Sequence, residues 1–174
     1  MITTSYITLF FNKTGCIIYD FEEGNLSDWL KTGTAFDNQP TYGNNVVFRK
    51  PSGSEASEHV GDWWIGTFED RPNSVTPPGR NQGDIPQGTL TSPEFTITGD
   101  RISFRIGGGC DMEKTRVELV ASGKVVAKAT GKCAENMLEN VWQVKALIGK
   151  PVQLRIIDQS SGLWGHINFD HLLE

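Results

Sequence analysis

Apolar and polar residues alternate through much of the second half of the chain. Ile102, Phe104 and Ile106 recur with Arg101, Ser103 and Arg105 between them, the period of two expected of a strand with one face in a core. The same pattern predicts strands at 115–120 and 124–129, joined by Ser122-Gly123, and further strands at 141–144, 152–158 and the C-terminus. There Gly165-His166-Ile167-Asn168-Phe169-Asp170 alternates again, with His166, Asn168 and Asp170 on one face and His171 on the other. In the first half, Ile17 to Phe21 and Asp62 to Phe68 read as strands, Val46-Val47-Phe48 as a short strand, and Gly88 to Pro93 as a strand or edge. Residues 32–57 and 70–87 are rich in Gly, Asn, Ser and Pro and read as long loops, a length usually associated with function or disorder. Ala134 to Glu139 reads as one helical turn, and no amphipathic helix of three turns appears. Short strands with frequent turn residues predict an all-β, antiparallel β-sandwich of jelly-roll or Greek-key type.

The two terminal strands define the first candidate site. If they are neighbours in one sheet, Glu22 and Asp170 converge, and two hard carboxylates at one point need a cation or a proton to coexist. Asp20, on the same face as Glu22, is a possible third ligand. The alternative is that these acids are solvated or pair with Arg155 or Lys150, which has little energetic consequence at a surface. Trp63 and Trp64 are adjacent in a predicted strand, so one ring enters the core and the other faces outward. An outward ring can stack on a sugar or anchor a protein contact, or be buried beneath loop 70–87. Trp164 lies in a glycine-flanked turn near the proposed calcium end, as a packing or ligand-binding residue, and Trp29 and Trp142 are assigned to the core.

Composition narrows the function classes. The 174 residues suffice for one domain, and 19 Gly with 8 Pro suit many turns. A net charge of −5 without a Lys/Arg cluster argues against a nucleic-acid partner. No stretch is long and apolar enough for membrane insertion. Tyr6 to Phe11 lacks the basic and small residues that flank a secretory leader, so residues 1–15 read as a poorly packed extension or the edge of a fragment, and 16–174 as a single domain. With a two-residue turn at Ser122-Gly123, Cys110 and Cys133 stand nearly opposite at the open end of a hairpin. A disulfide there would staple the hairpin and imply an oxidising compartment; the alternative is two neighbouring thiols. Cys16 is then left to pair outside the chain or to stay free. Asn12-Lys13-Thr14 and Asn25-Leu26-Ser27 are possible glycosylation sequons.

Catalysis finds little support. His59, His166 and His171 belong to no nucleophile or metal-ligand motif, and a structural role for His166 is favoured over zinc. Gly107-Gly108-Gly109 lacks the features of a phosphate loop and reads as a place of sharp turning or close backbone approach.

The segments "DFEEGNLSDW", "GTLTSPEFTI", "ISFRIGGG" and "WGHINFDH", in that order, resemble the galactose-binding-like jelly-roll module appended to levanase-type glycoside hydrolases and found in secreted and cell-surface proteins. The resemblance covers Ile17 to Leu172. More loosely, the layout is similar to MAM adhesion domains and calcium-stabilised carbohydrate-binding modules. It implies a structural calcium held by Glu22 and Asp170, although His171 stands where relatives commonly place a second acid. Two functions follow as expectations. One is a noncatalytic extracellular adhesion or recognition module whose partner is a glycan or an extracellular protein; the other is a carbohydrate-binding accessory module of a glycoside hydrolase.

Overall fold

A computed structural model describes residues 15–49 and 55–174. The expectations for residues 1–14, including the Asn12-Lys13-Thr14 sequon, lie outside the described residues. In chain order the strands are β1 (Ile17–Tyr19), β2 (Leu30–Gly33), β3 (Thr41–Tyr42), β4 (Trp63–Gly66), β5 (Gly88–Thr91) and β6 (Phe95–Thr96). Then follow β7 (Arg101–Gly108), β8 (Thr115–Ala121), β9 (Lys124–Ala129), β10 (Ala134–Gln143), β11 (Pro151–Asp158) and β12 (Ile167–Leu173). One sheet runs β10-β7-β12-β4-β3 with β1 added to β12; the other runs β2-β5-β11-β8-β9 with β6 added to β11. The result is the all-β, antiparallel two-sheet sandwich that the alternation predicts.

The first and last strands are neighbours. β1 pairs antiparallel with β12, and Cys16 and Glu174 exchange two backbone hydrogen bonds, of 2.6 and 2.9 Å. The Phe21 and Phe169 rings meet edge-on with centroids 6.1 Å apart. Between the sheets, Ile102, Phe104 and Ile106 of β7 pack in one core with Val117 and Leu119 of β8, Leu154 and Ile156 of β11 and Phe169 of β12. The register of β12 against β7 shifts between Asp170 and Leu173, where His171 takes a left-handed φ of 55°. The bulge changes which residues point inward, so Leu172 rather than His171 takes the next core place after Phe169.

Cys110 and Cys133 form a disulfide with Cα atoms 5.0 Å apart. The hairpin above it pairs Ala121 with Lys124 and Val120 with Val125, then slips by one residue at a bulge so that Leu119 faces Ala127. Cys16 is free and exposed. The glycine run does allow close approach: a Cβ on Gly109 would stand 2.4 Å from both Thr115 Oγ1 and the Trp164 carbonyl oxygen.

Three local expectations are corrected. Val46–Arg49 forms a single helical turn, α1, rather than a strand, because Val46 is drawn into a small cluster with Trp64 and Met137 instead of a ladder. Ala134 to Glu139 is part of β10, not a helical turn, and hydrogen bonding to β7 overrides its helix-compatible composition. The N-terminal strand ends at Tyr19, before Phe21, whose φ of 61° turns the chain. Asp20 and Glu22 therefore sit on a turn rather than on one strand face.

The disulfide closes a segment of 23 residues, which in the chain-entropy account corresponds to about 3 kcal/mol. In an equilibrium urea titration the C110A/C133A double variant is expected to lose about 3 kcal/mol of unfolding free energy, with a correspondingly lower midpoint; an unchanged midpoint would show that the bridge does not stabilise the fold.

Candidate functional site

β12 turns two different faces to its surroundings. Ile167 and Phe169 enter the core, while His166, immediately before the strand, and Asn168 and Asp170 within it are buried on the opposite side of the sheet. Two polar centres are built on that outer side.

The first is the junction of terminal acids. Asp170 Oδ2 accepts the Val60 N–H at 2.7 Å, and Oδ1 accepts the His171 N–H at 2.7 Å. Glu22 accepts from the Asp62 N–H at 3.0 Å and the Trp63 N–H at 2.9 Å, and Asp20 Oδ1 accepts the Glu22 N–H at 3.2 Å. The approach of Glu22 requires a glycine at position 61: a Cβ there would lie 2.4 Å from its carboxylate, and φ is +78°. Burial pushes the Asp170 carboxyl up to about 8 against the two backbone donors, and the charges of Glu22 and Asp20 add to the rise. The hard oxygens suit calcium chemically, and the three acids share one electrostatic field. Among the described residues, however, no three carboxylates, imidazoles or thiolates surround a common point in a metal-holding arrangement.

The tryptophans separate. Alternation sends Trp63 toward the main core, where it is half-buried against Tyr42 with ring centroids 5.1 Å apart. Trp64 faces outward from the sheet but is fully enclosed. Val46, Met137 and a stacked His59 cover it, and its indole N–H donates to the Gly43 carbonyl at 2.9 Å. Trp64 thus offers no face to a ligand, and its roof is the segment around α1 rather than loop 70–87. Trp164 stands away from the acid junction, before the start of β12. It is half-buried, with a φ of 60°, uncommon for a bulky side chain and typical of positions held by their surroundings. Its ring lies 5.6 Å from that of His166.

The second centre surrounds His166. Its Nδ1 is 2.7 Å from Asp84 Oδ1, and its Nε2 is 3.6 Å from Glu135 Oε2, beyond hydrogen-bond reach. Arg49 Nη2 lies between Glu135 Oε1 at 2.6 Å and Glu69 Oε1 at 2.9 Å. Asn45 Nδ2 donates to Glu69 Oε2 at 2.6 Å, and Asn168 Nδ2 donates to the Glu135 carbonyl at 2.9 Å. Phe68 closes one side, edge-on to His166 at 5.2 Å and beneath the Arg49 guanidinium at 4.3 Å. Glu69 is fully enclosed, whereas the side chains of Arg49, Glu135 and Asp84 keep 13%, 18% and 21% exposure and form a rim with Trp164. Arg49 Nε, His166 Nε2, Asn168 Oδ1 and Asp158 Oδ2 are buried without a hydrogen-bond partner.

Electrostatics divides these groups. Burial raises Glu69 to about 7 despite Arg49, and burial raises Asp158 to about 7. Burial alone would lower His166, but the Asp84 and Glu135 carboxylates carry it up to about 9. Burial works against ionisation of Glu135 as well, yet His166 and Arg49 hold it down to about 2. A His166 cation between two carboxylates, rather than a metal-ligating imidazole, is the arrangement these neighbours favour. Sequence reasoning singled out Trp164, read His166 as structural, and did not anticipate Arg49, Glu69, Asp84, Glu135 and Asp158 beside them. The single usable signal was the polar side of the His166-Asn168-Asp170 alternation, which demanded buried partners from elsewhere in the chain.

No model of a known protein family matches the chain. The chain is similar to a putative glycosyl hydrolase, EcdE, of Aspergillus rugulosus, with 40% identity over 90 residues; these make up 52% of the chain and 13% of that protein's length. Among solved structures, the C-terminal extracellular domain of Mycobacterium tuberculosis EmbC superposes with a TM-score of 0.53 at 12% identity, over 91% of this chain and 60% of that one. TmCBM61, solved in complex with β-1,4-galactotriose, superposes with a TM-score of 0.50 at 15% identity, over 88% of this chain and 92% of that one. At these identities the structures share the β-sandwich fold.

The shifted groups set a pH dependence of stability. Asp170, Glu69 and Asp158 have raised folded-state values, so they stay protonated in the fold where the unfolded chain ionises, and stability falls as pH climbs from the ordinary carboxylate range toward 7–8. The contribution of His166 is complete below 6.5 and fades as pH rises through about 9, in the same direction. Glu135 acts oppositely, but only below 4.5, and His59, lowered by burial, opposes the trend near and below 6.5 without matching the four raised groups in number. Urea midpoints are expected to fall steadily from pH 5 to pH 9, and D170N should flatten the part of that slope below pH 8. A profile rising over this interval would contradict the assignment.

Proposed function

We propose that the chain is a noncatalytic, glycan-binding accessory module of a secreted glycoside hydrolase, with its binding face at the rim formed by Trp164, Arg49, Asp84 and Glu135. The observation that carries this reading is the rim itself. A half-buried aromatic in a constrained backbone conformation lies beside side chains offering both hydrogen-bond donors and acceptors. An aromatic face with a few oriented polar groups is what a sugar ring, apolar on its C–H face and polar at its edge, requires.

The similarity to a putative glycosyl hydrolase supports attachment to such an enzyme. The fold shared with TmCBM61, whose structure contains β-1,4-galactotriose, is compatible with sugar recognition. The disulfide favours an oxidising and hence extracellular or cell-surface setting. Among the described residues no helix is long and apolar enough to cross a membrane. Recognition of an extracellular protein is the competing function for the same rim, since the neighbouring Leu163 and Ile85 are strongly exposed apolar residues.

Glycan-array screening followed by calorimetry separates the two. Sugar binding that Trp164→Ala weakens by at least about tenfold, as loss of a stacking anchor does, supports the glycan module, with Trp63→Ala as the comparison for a half-buried ring outside the rim. An array without any bound glycan would refute it.

We further propose that Asp170 and Glu22, with Asp20, take calcium at the junction of the terminal strands, where a divalent cation would neutralise the buried Asp170 carboxylate. A ligand present at 100 times its dissociation constant stabilises a fold by about 2.7 kcal/mol. Calcium is therefore expected to raise the melting temperature of the chain and to have no such effect on D170N; a melting temperature indifferent to calcium and chelator would rule the metal out.

A further inference from the structure

The charges around the rim determine which glycans it accepts. Burial favours the neutral forms of Glu69 and Asp158, which leaves Asp84 and Glu135 as the acids that face the two basic groups, Arg49 and His166. The Arg49 guanidinium, the obvious partner for an acidic sugar, is already held between Glu135 at 2.6 Å and Glu69 at 2.9 Å. His166 is likewise engaged, at 2.7 Å from Asp84. A carboxylate or sulfate arriving at the rim would have to displace an existing carboxylate from one of these bases, while facing Asp84 and Glu135, whose side chains are the exposed acids there.

The hydrogen-bond capacity points the same way. Beneath the rim, Arg49 Nε and the protonated His166 Nε2 are donors without an acceptor, whereas Asn168 Oδ1 and Asp158 Oδ2 are acceptors without a donor. These atoms are covered, so a ligand group reaches them only by displacing the rim side chains. An anion only accepts and an ammonium only donates, so either leaves part of the set unpaired. A hydroxyl does both.

We propose that this rim selects neutral, polyhydroxylated glycans and rejects uronate-bearing or sulfated ones, with Asp84 and Glu135 as the residues that set the preference. The inference rests on the glycan-binding reading above and adds to it the class of sugar.

The test is affinity electrophoresis of the whole chain through gels containing matched polysaccharides: β-1,4-galactan and levan as neutral probes, polygalacturonate and a sulfated galactan as acidic ones. Retardation by a neutral polysaccharide, with the acidic ones at least about tenfold weaker, is the expected result, because like-charge juxtaposition is strongly unfavourable. D84N and E135Q should narrow the neutral-to-acidic ratio several-fold. Asp84 is also the partner of the buried His166 at 2.7 Å, so for both variants the ratio is read from protein shown to be folded, and a loss of stability does not imitate the effect. Acidic polysaccharides bound as tightly as neutral ones, or a ratio unmoved in both variants, would overturn the charge selection while leaving glycan binding intact. Retardation by none of the four would overturn this inference together with the reading on which it rests.

Discussion

The structure depends on the two-sided burial of β12. Its core side supplies Ile167, Phe169 and Leu172, and its neighbours β7, β4 and β1 are placed by hydrogen bonding to it. The same alternation forces His166, Asn168 and Asp170 onto the other face, where each is also buried. Apolar burial against the second sheet, at about 25 cal/mol per Å² of apolar surface, provides the stability that lets those polar groups be taken out of water. Desolvated charges are retained only when partners meet them, so β12 in effect recruits Asp84, Glu135 and the Val60 and His171 amides.

The two polar centres meet that demand differently. At His166, opposite charges assemble: Arg49 and the imidazolium face Glu69, Glu135 and Asp84 across distances of 2.6 to 3.6 Å. At Asp170, burial and the like charges of Glu22 and Asp20 outweigh the two backbone amides, so the carboxyl is pushed upward toward the neutral acid. The first arrangement fixes side chains around an aromatic rim, and such preorganisation lowers the cost of binding any ligand there. The second ties the N-terminal turn to the last strand through Glu22, Val60 and Asp170. Neither arrangement resembles a nucleophile with its base.

Much of the architecture was legible because it is written locally. The alternation at Arg101–Ile106, the Ser122-Gly123 turn and the spacing of Cys110 and Cys133 each specify neighbours within one hairpin or strand, and the structure contains all of them. The pairing of the terminal strands was legible from their matching patterns. Elsewhere tertiary packing overrode local preference: β-branched Val46 and Val47 entered a helical turn to cover Trp64, and the Glu- and Met-bearing Ala134–Glu139 joined an edge ladder. The His166 cluster was illegible for a different reason. Arg49, Glu69, Asp84, Glu135 and Asp158 come from five separate parts of the chain, and topology alone brings them together. Trp64 shows the converse limit, since alternation gave its direction correctly and could say nothing about the roof above it.

The most direct test of the account is the response of the tryptophan indole N–H resonances in two-dimensional NMR as β-1,4-galactotriose and, separately, levan oligosaccharides are titrated in. The chain has five tryptophans, and only Trp164 stands at the proposed rim. The account predicts a saturable shift of the Trp164 indole signal with at least one of these sugars, accompanied by the His166 ring protons, while the Trp142 signal in the core stays fixed. Shifts centred on Trp29 or Trp63, or spectra indifferent to both sugars, would contradict the claim that the outer face of β12 is where this molecule meets its ligand.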